Sequence, residues 1–311
     1  MQESRPPSVT ILGAGAWGTT LALIADRAGA AVTLMPHRRD DASRMATTRR
    51  HPRSLPGILI PDAIAIAPPD AETQAPDLLV VAIPTQKVRD GIASMPATLR
   101  GAPIVSVAKG LEIGTLLRPS EVIATALGRA PGEGIAVLSG PNLATEIAEG
   151  LPAAAVVAGS DPALNRRVQE VLGSSRFRLY TSPDAVGVEL GGALKNIVAI
   201  GAGIADGLAV GDNAKAAFMT RGLAEITRLG IALGADPITF GGLSGIGDLL
   251  ATCASSRSRN HRVGVELAAG RSLEEILAGM EETAEGVATT RAAYDLAART
   301  GIDNPIAMAL H

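Results

Sequence analysis

The sequence predicts an α/β chain, a Rossmann-type parallel-sheet domain followed by an all-α helical domain. Three observations carry this. From Val9 to about Ser182 one pattern repeats, a short β-branched or Leu-rich run, then turn residues, then a helix-like stretch; this is how a parallel sheet covered on both faces reads. Gly13-Ala-Gly15-Ala-Trp-Gly18 follows the first of these runs and opens the first helix. After Pro183 no clear strand follows, and apolar residues recur at helical spacing.

The predicted strands are Val9 to Leu12, Ala31 to Met35, Leu78 to Ile83, Ile104 to Ala108, Ile135 to Ser139, Ala154 to Ala158 and Phe177 to Tyr180. Several are apolar without alternation, as expected for strands buried on both faces. Trp17 to Ala28 reads as the first helix, and Thr47 to Pro61, with its three prolines, as irregular chain. The boundary is placed near Asp184 to Gly187, giving a dinucleotide-binding domain over residues 1–186 and a helical substrate domain over 187–311. In the second half, Asn213 to Leu233 has helical spacing, with Asp212 or Asn213 as N-cap and Gly234 as a stop. Ser272 to Glu275 has the form of a capping box, and Thr289 to Arg299 runs as helix to Gly301.

Composition narrows the function. With 47% hydrophobic and 19% charged residues in 311, the chain is expected to fold rather than stay disordered. Its formal charge of −3 lacks the basic surplus of a phosphate-backbone binder. Only 2% is aromatic, which leaves few stacking platforms, so no nucleic-acid partner is expected. Cys253 is the single cysteine and the 4 histidines form no zinc-ligand spacing, so neither a disulfide nor a metal site is expected and a reducing cytoplasm fits best. Ser8 to Ala25 is uncharged, but glycines and threonines interrupt it. Neither a signal peptide nor a membrane span is expected.

A G-x-G-x-x-G between strand and helix has a physical purpose. Gly13 permits the tight turn, Gly15 lets backbone approach a pyrophosphate, and Gly18 lets helix and strand pack closely. Ala16 and Trp17 sit at the helix start, whose N–H groups and dipole favour an anion. About 20 residues on, where an NAD-selective site places a carboxylate, the chain reads His37-Arg38-Arg39. A guanidinium there suits a 2′-phosphate. NADP(H) is therefore the expected cofactor, with NAD(H) allowed, and Arg38 the expected contact.

Three charged positions stand out for chemistry. Lys109 follows a predicted parallel strand, at the edge where open α/β sheets bind ligands. Lys195, with Asn196 beside it, lies in a nearly uncharged helical stretch, and Asp248 lies among glycines and aliphatics. A buried lysine is costly unless paired or used, so Lys195 and Asp248 are expected to serve each other. In ketone reduction, negative charge grows on the carbonyl oxygen, and a positioned ammonium both stabilises it and gives up a proton. Lys195 is the candidate for that role, with Asp248 orienting it and the Asn196 amide hydrogen-bonding substrate or cofactor. The cluster from Ser256 to Arg262 suits a phosphate, whereas Cys253 reads as packing.

With these residues assembled, the chain resembles the NAD(P)-dependent glycerol-3-phosphate dehydrogenases of bacterial type from about Val9 to Pro305. The matching segments are the glycine loop with Thr-Thr-Leu-Ala after it, Val107-Ala-Lys-Gly-Leu-Glu, Ser139-Gly-Pro-Asn, Gly191-Gly-Ala-Leu-Lys-Asn, Thr220-Arg-Gly-Leu-Ala-Glu, Gly245-Ile-Gly-Asp-Leu and Ser258-Arg-Asn. The resemblance implies a cytoplasmic enzyme that interconverts dihydroxyacetone phosphate and sn-glycerol 3-phosphate for glycerophospholipid synthesis, expected as a homodimer. It implies that Lys195 is the catalytic lysine, with Lys109, Asn196 and Asp248 in the catalytic group. Gly140, Thr252, Ser258, Arg259 and Asn260 would complete the substrate site, Arg259 and Asn260 taking the phosphate end. Trp17, Arg38, Lys109, Ala144, Arg259 and Glu285 would line the dinucleotide.

The chain departs from that pattern where Asn142 replaces a serine or threonine and where Ala108 replaces a threonine. The resemblance also implies a longer final helix than one ending at His311, which would cover apolar surface near Ile306 to Leu310. Two other readings compete. A β-hydroxyacid-type dehydrogenase would carry asparagine four residues after the lysine, where this chain has Ala199. A non-catalytic NADPH sensor would not need Lys195, Asp248 and Arg259 together.

Overall fold

The computed structural model describes residues 5–280 and 283–311. The first half forms an eight-stranded sheet: β1 Ser8–Leu12, β2 Ala31–Met35, β3 Ala65–Ile66, β4 Leu78–Val81, β5 Ile104–Ser106, β6 Ile135–Ser139, β7 Ala153–Ala158 and β8 Phe177–Ser182. Helices α1 Ala16–Arg27, α2 Arg39–Thr48, α3 Val88–Ser94, α4 Pro119–Leu127, α5 Ala144–Ala148 and α6 Pro162–Leu172 connect or flank the strands. The order is β3-β2-β1-β4-β5-β6-β7-β8. Its first six strands follow the dinucleotide-binding arrangement, with the switch point between β1 and β4.

β4, β5 and β6 are buried at every position. Aliphatic layers cover the two faces, one with Ile11, Val80 and Leu138, the other with Leu79, Val81 and Ile104. That explains why the sequence shows no alternation there.

The second half is helical among the described residues: α7 Ala185–Gly207, α8 Asp212–Ala232, α9 Asp248–Ala254, α10 Arg259–Ala268, α11 Leu273–Ala278, α12 Glu285–Thr300 and α13 Pro305–Leu310. Asp184 caps α7, its carboxylate accepting from Gly187 N–H at 2.9 Å. α7 is long and apolar enough to cross a membrane, but most of it is buried as the core of the helical half.

The structure corrects several expectations. The sheet is not uniformly parallel, because β6 and β7 pair antiparallel. The only helix between them, α5, has five residues and is too short to carry the chain back along the sheet, as a parallel crossover requires. β3 has two residues, too few for a sequence signal. The strands expected at Leu78 to Ile83 and Ile104 to Ala108 end earlier, since the chain turns outward toward the site. Gly211, at φ +89°, precedes α8, and Asp212 sits inside its first turn, where a carboxylate favours the dipole. α12 begins at Glu285 rather than Thr289, while the Ser272–Glu275 capping box and the left-handed Gly301 stop are as expected.

Candidate active site

The glycine loop sits at the switch point. Gly13 adopts φ +106°, and a Cβ there would lie 2.4 Å from the Ala82 carbonyl oxygen after β4. A Cβ on Gly18 would lie 2.0 Å from the Gly13 oxygen. These two glycines are therefore dictated by packing. Around Gly15 nothing stands within 4 Å of where a Cβ would be, and it begins α1 without a side-chain cap. The turn thus leaves open space in front of a helix start, which suits a pyrophosphate. The Trp17 indole N–H is buried with no partner.

β2 ends beside the loop, followed by His37 and Arg38, both exposed. Of the neighbouring charges, Arg39 pairs with Asp70 and Asp41 with Arg53. Arg38 has no ion pair within the described residues and precedes α2, so its guanidinium fits a phosphate at the adenosine end of a dinucleotide. Ala144 opens α5, and its carbonyl accepts from the Thr20 hydroxyl at 3.1 Å, joining α5 to α1.

A largely buried charge cluster lies where the end of β5 meets α7 and α9. Lys109 Nζ lies 2.6 Å from Asp248 Oδ2, and Lys195 Nζ lies 3.0 Å from Asp248 Oδ1. Lys109 also donates to the Gly140 carbonyl at 2.9 Å. Gly140 is held at φ +149°, where a Cβ would lie 2.9 Å from the Ala155 Cα. Lys195 donates to Thr252 Oγ1 at 2.5 Å, and that hydroxyl donates to the Asp248 backbone carbonyl at 2.6 Å. Lys195 is 6% exposed and Asp248 1%. The lysine does not snorkel to solvent, and Asp248 is no N-cap but the first residue of α9.

Burial pushes the Lys195 ammonium down to about 8, although Asp248 pulls the other way. For Asp248, burial alone would raise the pKa, but Lys109 and Lys195 outweigh it and hold the carboxyl below its ordinary range. Two ammonium groups against one carboxylate leave a net positive charge of one in a largely buried site. Such a site can stabilise a developing oxyanion and supply a proton. Burial pushes the nearby Cys253 thiol up to about 12, which makes it inert packing.

A second network lies beside the first. Asn260 donates to Asn196 Oδ1 at 2.8 Å and accepts from the Gly286 N–H at 2.9 Å. The Asn196 amide in turn points to the Lys109 carbonyl at 3.5 Å. Ser258 caps α10, so Arg259 and Asn260 occupy the first turn of a ten-residue helix. Dipole and side chains together suit an anion there. The Glu285 carboxylate accepts from the Thr85 N–H at 3.0 Å across the two halves, and burial raises its pKa.

The expected residues thus fall into two neighbouring groups, the lysine–aspartate cluster and the α10 start, with the glycine loop, His37 and Arg38 along the sheet edge. Ala108 packs into the apolar layer. Asn142 leaves both amide atoms buried without a partner.

Several contributors escaped the sequence reading. His51 Nδ1 accepts from the Ser54 N–H at 2.7 Å, so its Nε2–H donates to the Ala14 carbonyl of the glycine loop at 2.8 Å. No local pattern marks that contact, which lies in the irregular stretch. Glu189 on α7 accepts from Ser120 N–H at 2.9 Å and pairs with Arg118 at 2.8 Å, fastening α7 to α4. Its signal was available, since it is the other charge in the nearly uncharged segment that holds Lys195.

Comparisons with known proteins place the chain in a family and agree with its fold. The family described as NAD-dependent glycerol-3-phosphate dehydrogenase N-terminus matches residues 8–165, and its C-terminus counterpart matches 184–311. A glycerol-3-phosphate dehydrogenase (NAD(P)+) of Streptomyces griseus is 47% identical over 97% of this chain and 90% of its own length. One from Prosthecochloris aestuarii is 47% identical over 96% and 90%. The crystal structure of glycerol-3-phosphate dehydrogenase from Coxiella burnetii superposes with a TM-score of 0.90 at 36% identity, covering 98% of this chain and 94% of that one.

Proposed function

The chain belongs to the NAD-dependent glycerol-3-phosphate dehydrogenase family, and from that premise we propose that it reduces dihydroxyacetone phosphate to sn-glycerol 3-phosphate reversibly, using NADPH in preference to NADH. The observation that carries the proposal is the buried Lys109–Asp248–Lys195 cluster at the carboxyl edge of a sheet whose switch point holds an open glycine cradle. In this proposal residues 1–186 bind the dinucleotide and residues 187–311 the substrate.

A nicotinamide held by the glycine-loop residues would supply the hydride. This chain's own residues do the rest. Gly13, Gly15, Ala16, Trp17 and Gly18 cradle the pyrophosphate, His37 and Arg38 meet the adenosine end, and Ala144, Arg259 and Glu285 complete the lining. Arg259 and Asn260, with Ser258 capping their helix, hold the substrate phosphate, which fixes the ketone. Gly140, Asn196 and Thr252 line the carbonyl end.

Lys195 donates a proton from Nζ to the carbonyl oxygen as charge develops there. Asp248 and Thr252 aim that ammonium, and Lys109 keeps the site positive while the proton leaves. A pKa near 8 suits the task, because the group is mostly protonated at neutral pH yet close enough to give the proton up. In the reverse direction the neutral amine takes the alcohol proton.

The same reading makes this a cytoplasmic, homodimeric supplier of glycerophospholipid synthesis. NADPH consumption by purified protein given dihydroxyacetone phosphate tests its core. Turnover with that substrate and none with 3-oxo acids is the expected result; the reverse pattern would put the chain among the β-hydroxyacid dehydrogenases, and cofactor binding without any turnover would make it a sensor.

A further inference from the structure

In the basic cluster His261 is buried, whereas Arg257, Arg259 and Arg262 around it are exposed. It is the third residue of α10, two after Arg259, and is 8% exposed. Its Nε2 lies 2.7 Å from Asp206 Oδ2 in the last turn of α7. An ionised carboxylate only accepts, so the imidazole donates. The same Asp206 oxygen takes the Lys215 ammonium of α8 at 2.5 Å. One carboxylate therefore staples three helices at the start of α10.

The backbones meet at the same place. A Cβ on Gly203 of α7 would lie 2.0 Å from the His261 carbonyl oxygen, and one on Gly264 would lie 2.0 Å from the Ile200 oxygen. With α7 and α10 this close, the remaining freedom at the start of α10 is rotation and fraying of its first turn. Successive helical residues point about 100° apart. Asn260 is tied on one side, to Asn196 and Gly286. His261 is tied on the next, to Asp206. With two adjacent directions fixed, the direction of Arg259 is fixed too.

We propose that His261 is a positioning residue of the phosphate subsite: through its bond to Asp206 it sets the first turn of α10, and so the Arg259 guanidinium, where the substrate phosphate must bind. The proposal rests on the reading that Arg259 holds that phosphate. A lost positioning contact of this kind affects binding more than chemistry. It should act only on substrates that carry the phosphate.

The experiment compares dihydroxyacetone phosphate with dihydroxyacetone in wild type, His261→Ala, His261→Gln, Asp206→Ala, the His261→Ala/Asp206→Ala pair and Arg259→Ala. His261→Ala should raise KM for dihydroxyacetone phosphate about tenfold with kcat within about threefold, the pattern of lost binding rather than lost chemistry. KM for NADPH should rise less than that for dihydroxyacetone phosphate, since Arg259 also joins the cofactor lining, and kcat/KM for dihydroxyacetone at saturating NADPH should hold. His261→Gln, whose amide N–H can still reach Asp206, should recover most of the loss. Asp206→Ala should match His261→Ala, and the pair should lose no more than either alone.

Equal losses on both ketones, an unchanged KM for the phosphorylated one, or failure of His261→Gln to recover would overturn the proposal. If Arg259→Ala keeps a wild-type KM, the phosphate reading of Arg259 falls and takes the proposal with it. If Arg259→Ala raises KM but His261→Ala does not, only the positioning role is refuted.

Discussion

Asp248 is shared between the two halves of the molecule: its Oδ1 stands 3.0 Å from Lys195 Nζ on α7, and its Oδ2 stands 2.6 Å from Lys109 Nζ at the sheet edge. One carboxylate thus ties Lys195, the proton donor of the proposed mechanism, to the strand end of the sheet domain. It also sets the titration of that donor. Burial drives Lys195 down and Asp248 restrains the fall, leaving it near 8. Ketone reduction needs the ammonium, so its kcat should decline as pH rises through about 8, while alcohol oxidation should climb over the same range. In Asp248→Asn the restraint is gone, and Lys109 still repels the Lys195 charge. The alkaline limb of reduction should then move to lower pH. A limb that stays in place would remove Lys195 as the titrating acid.

Lys195→Ala tests the same group directly. General acid–base groups contribute about 10²–10⁴-fold, so kcat should fall within that range. NADPH affinity, read by fluorescence titration, should stay within a few-fold, because the cradle lies on the sheet domain. The losses in Lys195→Ala and Asp248→Asn should not multiply in the double variant, since each disables the same unit. Full multiplication would mean that the two residues act separately.

In the proposed reading, cofactor choice turns on Arg38. With Arg39 and Asp41 engaged by Asp70 and Arg53, Arg38 is the cation at the end of β2 left for a 2′-phosphate. A charge-assisted hydrogen bond contributes roughly 1.5–3 kcal/mol, so Arg38→Ala should raise KM for NADPH by about 10–100-fold. KM for NADH should hardly change. Parallel increases for both cofactors would assign Arg38 to the shared part of the dinucleotide or to the fold.

What the sequence revealed and what it hid follow from the range of each interaction. The glycine loop was legible because strand, turn and helix are contiguous and each glycine has a local reason. Lys195 and Asp248 were legible because a lone charge among aliphatics must find a partner. Their third partner, Lys109, comes from 139 residues before Asp248, and nothing local announces that one carboxylate serves both lysines. His51 reaching back to Ala14, and Glu285 crossing to Thr85, are contacts of the same long-range kind. The antiparallel step from β6 to β7 was hidden because a strand's composition does not state its direction; only the shortness of α5 does.

The glycine loop makes a prediction in which stability and binding part company. A methyl on Gly18 would stand 2.0 Å from the Gly13 carbonyl oxygen and 3.1 Å from the Ala82 Cβ, so Gly18→Ala forces α1 away from the sheet. Overpacking of this kind costs about 1–3 kcal/mol, which lowers Tm by several degrees. Gly15 differs, because it has φ −70° and ψ −178°, open to any L-residue, and nothing lies within 4 Å of its added carbon. Gly15→Ala should therefore melt within about 2 °C of wild type, the exchange costing only the few tenths to one kcal/mol of a weakened helix start. Its methyl would nevertheless occupy the space a pyrophosphate needs, and NADPH affinity should drop at least about tenfold, the equivalent of 1.4 kcal/mol. Calorimetry and cofactor titration on the two variants read these effects separately. A Gly15→Ala protein that binds NADPH as wild type does would place the phosphates away from this turn, and with them the whole orientation of cofactor toward Lys195.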